Sequence, residues 1–236
     1  MISQASSVNS VRNLIFMMAA SSIFALNAAA ANDIATNEVN FIAPPAWITR
    51  EMVVNTTKSI EEQLSGSSTR KIKVYYMSDS EKFNAEHKLS FPVGAFFRPK
   101  DQTVYLGPTV NKDNFERFFG HELVHVIFSQ KFKAAIPLWL EEGLANYYSG
   151  RKDVNWKWLA KQPSIDVTSL RHPGNNSLGA DFHYQTSTAV IIFISERCSL
   201  KELLMLSVGK KLENYLATFC KIKNLNGEYA TWLAKK

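Results

Sequence analysis

The stretch His121-Glu122-Leu123-Val124-His125, followed by Trp139-Leu140-Glu141-Glu142-Gly143-Leu144-Ala145, decides how this chain reads. Residues four apart on an α-helix share one face, so the two imidazoles can reach a single metal ion. Glu122 lies about 100° around the axis from His121, which disfavours it as a ligand but leaves it beside the metal. From there it can take a proton from a metal-bound water and hand it on to a leaving amine. The third ligand is expected from a nearby helix, and Glu142 stands in a second helical stretch with sixteen residues between it and His125. Two imidazoles and one carboxylate fill three corners of a tetrahedron and leave the fourth to water. That is the donor set of a catalytic zinc site, with one zinc ion per chain. An apolar helix with two incidental histidines would not explain a Glu-Gly helix at this distance. A two-His-one-carboxylate oxygenase shares the donors but lacks the adjacent base.

Together these motifs resemble the gluzincin metallopeptidases of the peptidase MA-like group, which includes aminopeptidase N. The motif core covers residues 120–150, with weaker similarity over 93–193. The resemblance implies a zincin-like α+β fold, with a small twisted sheet above the metal-binding helix. It also implies that the ligand is the glutamate directly before the glycine, Glu142 rather than Glu141. Asn146, one turn beyond Glu142, matches an offset at which relatives place an acceptor for a zinc-bound histidine; a plain exposed helix position is the alternative. Tyr184, in Phe182-His183-Tyr184-Gln185-Thr186-Ser187, matches the tyrosine that donates to the developing oxyanion, and His183 is the other candidate donor. A core tyrosine without a catalytic part would read the same way. Gly94-Ala95-Phe96-Phe97 corresponds to the strand at the cleft rim, where an extended peptide adds as a further strand. Aminopeptidases of the group carry an acidic residue there to hold the substrate's free amine. Here that part of the strand runs Phe96-Phe97-Arg98, which argues against aminopeptidase action and for cleavage of internal bonds.

The chain's ends bound the rest. Arg12 precedes an apolar run over residues 14–26, followed by Ala28-Ala29-Ala30-Ala31. Residues 1–31 therefore read as a secretory signal peptide with an Ala-x-Ala cleavage site, and an uncleaved anchor is the alternative. Thirteen residues are too few to cross a bilayer comfortably, and no later run is long enough, so no stable membrane span is expected after cleavage. The expected location is periplasmic or secreted. Loss of Arg12 takes the formal charge from +6 to +5; the remaining basic residues are scattered, with small clusters at Lys210-Lys211, Lys221-Lys223 and Lys235-Lys236, and no nucleic-acid motif lies among them. Cys198 and Cys220 would form one bridge in an oxidising compartment; two separate buried thiols are the alternative. His87 and His172 have no motif around them and read as surface or loop residues.

Residues 32–43 read as a polar leader, and 44–236 as one metallopeptidase domain of sufficient size for a single core. Pro44-Pro45 opens a helix expected over 46–64. Residues 71–76 alternate as a strand, and 93–97 with 103–106 suggest a hairpin. Asp113 and Glu116 have the spacing of a capping box for the metal helix. Pro137 and Gly150 suit the start and end of the next helix. Helices are expected over 184–197, 201–206, 210–219 and 228–234. Strands followed by helices indicate α+β. The expected partner is a peptide or protein substrate, with the oligomeric state open. Two rivals remain: a zinc amidase acting on cell-wall peptides, and a zinc-holding binding module without turnover.

Overall fold

The structure, a computed structural model, describes residues 32–171, 173–175 and 177–236. The signal-peptide reading of 1–31 and the loop reading of His172 concern residues outside these. The described chain is α+β, a five-stranded mixed sheet followed by a mainly helical half.

The strands are β1 (Ile34–Ala35), β2 (Val39–Ile42), β3 (Ile72–Tyr76), β4 (Ala95–Arg98) and β5 (Thr103–Leu106), in the order β1-β2-β3-β5-β4. β3 runs parallel to both β2 and β5, and the two edge strands are antiparallel to their neighbours. Residues 32–43 are therefore no leader. Val39 pairs with Ile72 and Phe41 with Val74, and Val39 and Phe41 are fully buried. The alternation Val-Asn-Phe-Ile is too short to announce itself; only the parallel pairing with β3, across a whole helix, makes it a strand.

That helix, α1 (Arg50–Leu64), starts later than the prolines suggest. Residues 45–48 form a turn, and Thr49 caps the helix by accepting from Met52 N–H at 3.2 Å. A helix the sequence reading did not contain, α2 (Ser80–His87), is capped by Asp79 and buries a single side chain, Phe83. One apolar position gives no periodicity to read. His87 ends this helix half-buried, packed edge-on against Phe83 and Phe96 rather than lying free on a loop.

The metal helix, α3 (Phe115–Ile127), begins at Asn114 without the expected capping box. Asn114 Oδ1 instead accepts from Asn111 N–H at 2.8 Å, closing the preceding turn. The helix widens into a π turn over Phe128–Phe132 and then breaks; Pro137 caps α4 (Leu138–Tyr148), which ends before Gly150 at φ +81°. The remaining helices are α5 (Trp156–Leu159), α6 (Gly179–Ser195), α7 (Leu200–Leu206) and α8 (Leu225–Leu233). Residues 210–219 hold one 3-10 turn, Leu212–Tyr215, where a helix was expected. Cys198 and Cys220 are bonded, tying the end of α6 to the segment before α8.

The core is continuous from the sheet through α3 and α4 to α6. Among the described helices, α4 lies extremely close to α6. A Cβ at Gly143 would stand 2.1 Å from the Ser187 carbonyl oxygen, so only glycine lets the two backbones approach this far. The glycine that follows Glu142 is thus a packing requirement, and it sets α6, which carries Tyr184, against the helix that carries the glutamates.

Candidate metal centre

Helical periodicity and this close packing bring His121, His125 and Glu142 together. His121 Nε2 lies 3.1 Å from His125 Nε2 and 3.3 Å from Glu142 Oε2, and His125 Nε2 lies 3.7 Å from Glu142 Oε2. Three donors at zinc–ligand distance on a tetrahedron stand about 3.3 Å apart, so the triangle has the size of a zinc site. All three side chains are only about one-seventh exposed, at 13%, 13% and 15%. Glu142 Oε2 is buried without a hydrogen bond, an orphaned carboxylate oxygen that a cation would satisfy. The residues therefore fit the ion that the sequence implies.

Electrostatics agree. Burial alone would lower the His125 pKa, but Glu142 and Glu141 outweigh it and raise it well above the imidazole range. Burial would likewise raise Glu142, yet His125 and His121 hold it well below the carboxylate range. Glu142 is thus held as a carboxylate, the form that ligates, whereas His125 would give up its proton to a metal ion.

Glu122 is buried beside the triangle, and burial raises its pKa. The two histidines and the Phe97 backbone N–H pull it back down, and Glu142 pushes it up. A raised carboxylate suits a group that must accept a proton and release it again. Tyr184 reaches the same cleft, which is also lined by Leu89, Phe91, Val93 and Pro99. Its phenol is pushed strongly up by burial, then by Glu142 and Glu122, so it is a protonated donor at neutral pH. The Arg151 guanidinium lies 5.7 Å from the Tyr184 ring centre. His183, the other candidate donor, is fully buried within α6 and does not line the cleft.

Ala95, Phe96 and Phe97 line the cleft, but Gly94 does not. Gly94 accepts from Gly107 N–H at 2.7 Å, and a Cβ on it would stand 2.3 Å from the Phe118 ring, so it belongs to the hairpin's packing on α3. That bond also sets the strand's polarity. Bonded pairs alternate in an antiparallel ladder, so Phe96 and Arg98 face β5, while Ala95 and Phe97 turn their N–H and C=O groups to the open edge. The Phe96 ring stacks on Tyr105 at 4.8 Å.

Asn146 does not hold a zinc-bound histidine. Its amide donates to Thr188 Oγ1 at 2.9 Å, and both its own Oδ1 and His121 Nδ1 are buried without partners. The carboxylate that orients a ligand is Glu141, whose Oε1 meets His125 Nδ1 at 3.0 Å. A proton held on Nδ1 leaves Nε2 free to ligate. The sequence reading gives Glu141 no part in orienting a ligand. Its adjacency to Glu142 was a signal, because a ring's two nitrogens call for two acceptors on neighbouring positions.

Compared with solved structures, the chain is similar to the M1 zinc metallopeptidase of Deinococcus radiodurans, at TM-score 0.53 and 14% identity. The match covers 87% of this chain and 51% of that one. A mutant of that enzyme bound to a Tyr-Ser-Ala substrate matches at TM-score 0.51, 14% identity, 86% and 50% coverage. The chain thus spans about half the length of these structures. No protein-family model matches the sequence, and no curated protein does.

Proposed function

We propose that this chain is an exported zinc-dependent peptidase that hydrolyses internal peptide bonds. The observation that carries the reading is the convergence of His121, His125 and Glu142 in a triangle of zinc-site size, with Glu122 and Tyr184 on the same cleft. Zinc held there would supply Lewis-acid polarisation of the scissile carbonyl and a water acidic enough to attack near neutral pH. The Glu122 carboxylate takes the water's proton and delivers it to the leaving amine. Tyr184 Oη donates to the carbonyl oxygen as negative charge develops there, a contribution of about 10²–10³ in rate. Glu141 fixes the His125 ring. The open edge of β4 offers the backbone groups of Ala95 and the carbonyl of Phe97 to an extended substrate, as in strand addition, while the Phe97 N–H serves Glu122.

The endopeptidase reading rests on charge. Among the described cleft residues the carboxylates are Glu122, Glu141 and Glu142, and each already has a task in the metal centre. None is left to hold a cationic N-terminal amine, and Phe96 and Phe97 stand where aminopeptidases place their acid. Export is inferred from residues 1–31, in keeping with the Cys198–Cys220 bridge. Casein hydrolysis by the purified chain tests the reading. It is expected to stop with a chelator, to return with zinc, and to vanish in Glu122→Gln while one zinc per chain remains bound. Turnover by zinc-free protein, or by Glu122→Gln at the native rate, contradicts it.

A further inference from the structure

The end of α7 carries a surface that the peptidase reading does not use. Leu203, Leu204 and Ser207 are its inward positions and are fully buried; Ser207 Oγ donates to Leu203 C=O at 2.8 Å. The outward positions are Met205, Leu206 and Val208, at 60%, 41% and 58% exposure. A surface helix ordinarily turns polar side chains outward. Here a serine is buried while leucine, methionine and valine face water. The described chain has six large apolar residues this exposed, and three fall within these four positions, so the patch is local rather than scattered. Gly209, at φ +79°, then turns the chain into Lys210 and Lys211, both exposed. No acidic residue lies between Leu203 and Leu212. Lys211 reaches Glu213 only at 4.0 Å, and Lys210 has no ion pair among the described residues.

We propose that this tip is a membrane-docking surface: Met205, Leu206 and Val208 insert among the acyl chains of an anionic phospholipid bilayer while Lys210 and Lys211 contact its phosphate headgroups. An apolar tip followed at once by two exposed lysines, of which Lys211 shares only a long contact with Glu213, is complementary to an interface that is apolar below and negative above. No helix among the described residues is long and apolar enough to cross a membrane, so attachment here is peripheral. The inference is independent of the peptidase reading.

The test is co-sedimentation of the full chain with vesicles of phosphatidylethanolamine and phosphatidylglycerol, against vesicles of phosphatidylcholine. Binding is expected to the anionic vesicles only and to weaken as salt is raised. A Met205→Ser, Leu206→Ser, Val208→Ser triple variant is expected to lose at least about tenfold in partitioning. Lys210→Gln and Lys211→Gln should each lose about fivefold. Thermal melts should stay at the wild-type temperature, since the substituted side chains face solvent. In an otherwise intact chain, Val208→Trp should show blue-shifted emission on adding anionic vesicles. Failure of the wild type to sediment, or binding unchanged in both sets of variants, overturns the proposal. So does a concentration-dependent dimer in vesicle-free solution that the triple variant abolishes, because the patch would then belong to a second copy of the chain.

Discussion

Gly143→Ala and Gly120→Ala are the same substitution in two buried helices, and the structure assigns them opposite signs. Each replaces a helical glycine and so gains up to about 1 kcal/mol in backbone propensity. At Gly120 the new Cβ meets Ile60 Cδ1 at 3.4 Å and Ser149 Cβ at 3.5 Å, close to ordinary contacts, so the gain is kept. At Gly143 it meets the Ser187 carbonyl oxygen at 2.1 Å, the carbonyl carbon at 2.5 Å and Ile191 Cγ1 at 2.9 Å. Two of these three atoms are backbone and cannot rotate away, so α4 and α6 must separate by about 1 Å. Overpacking of this kind costs about 3 kcal/mol, which leaves Gly143→Ala destabilised by about 2 kcal/mol after the propensity gain. For a domain of this size that lowers Tm by about 4–8 °C, while Gly120→Ala holds or raises it. The displacement also separates Glu142 from Tyr184, and a shift of about 1 Å can cost about 10²-fold in kcat/KM. Paired thermal melts and peptide hydrolysis assays read both effects. Equal melting temperatures for the two variants would falsify the account of the α4–α6 contact.

Three further outcomes are expected. His121→Ala and Glu142→Ala should lose most of the bound zinc while Glu122→Gln keeps it, and Glu141→Gln should weaken zinc affinity by about 10–100-fold through the freed His125 ring, read by competition with a fluorescent chelator; full affinity in Glu141→Gln removes the orienting role. Acetylating the N-terminus of a good peptide substrate should change kcat/KM by less than about tenfold, and amino-acid anilides should be poor substrates; the reverse pattern makes the enzyme an aminopeptidase. Denatured, unreduced protein from an oxidising compartment should titrate no thiol, and reduction should cost about 3 kcal/mol in denaturant unfolding; two thiols per chain would show the bridge to be absent.

Local chemistry wrote the metal helix into the sequence. Histidines four apart, a base beside the first of them, and a Glu-Gly pair in the next helix require no knowledge of the rest of the chain, because helical periodicity alone sets their directions. The β4–β5 hairpin, β3 and the pairing of Cys198 with Cys220 were legible for the same reason: alternation, a short connection, and two cysteines in a chain that begins like an exported one.

What needed the tertiary structure were the contacts between segments far apart in sequence. Val39–Ile42 holds a single polar residue, Asn40, and is only four residues long. It became a strand because Ile72 and Val74 stood ready to pair with it, and no local pattern contains that partner. Asn146 had the spacing to serve a zinc-bound histidine, yet its amide N–H goes to Thr188, forty-two residues away on α6, and its Oδ1 meets no donor. Glu141, beside the ligand, meets His125 only because α4 packs against α3. A hydrogen bond depends on where two backbones lie to within an ångström, and that is set by packing such as Gly143 against Ser187. Spacing along the chain could say which side chains share a helix face, but only the packed core could say which of them meet.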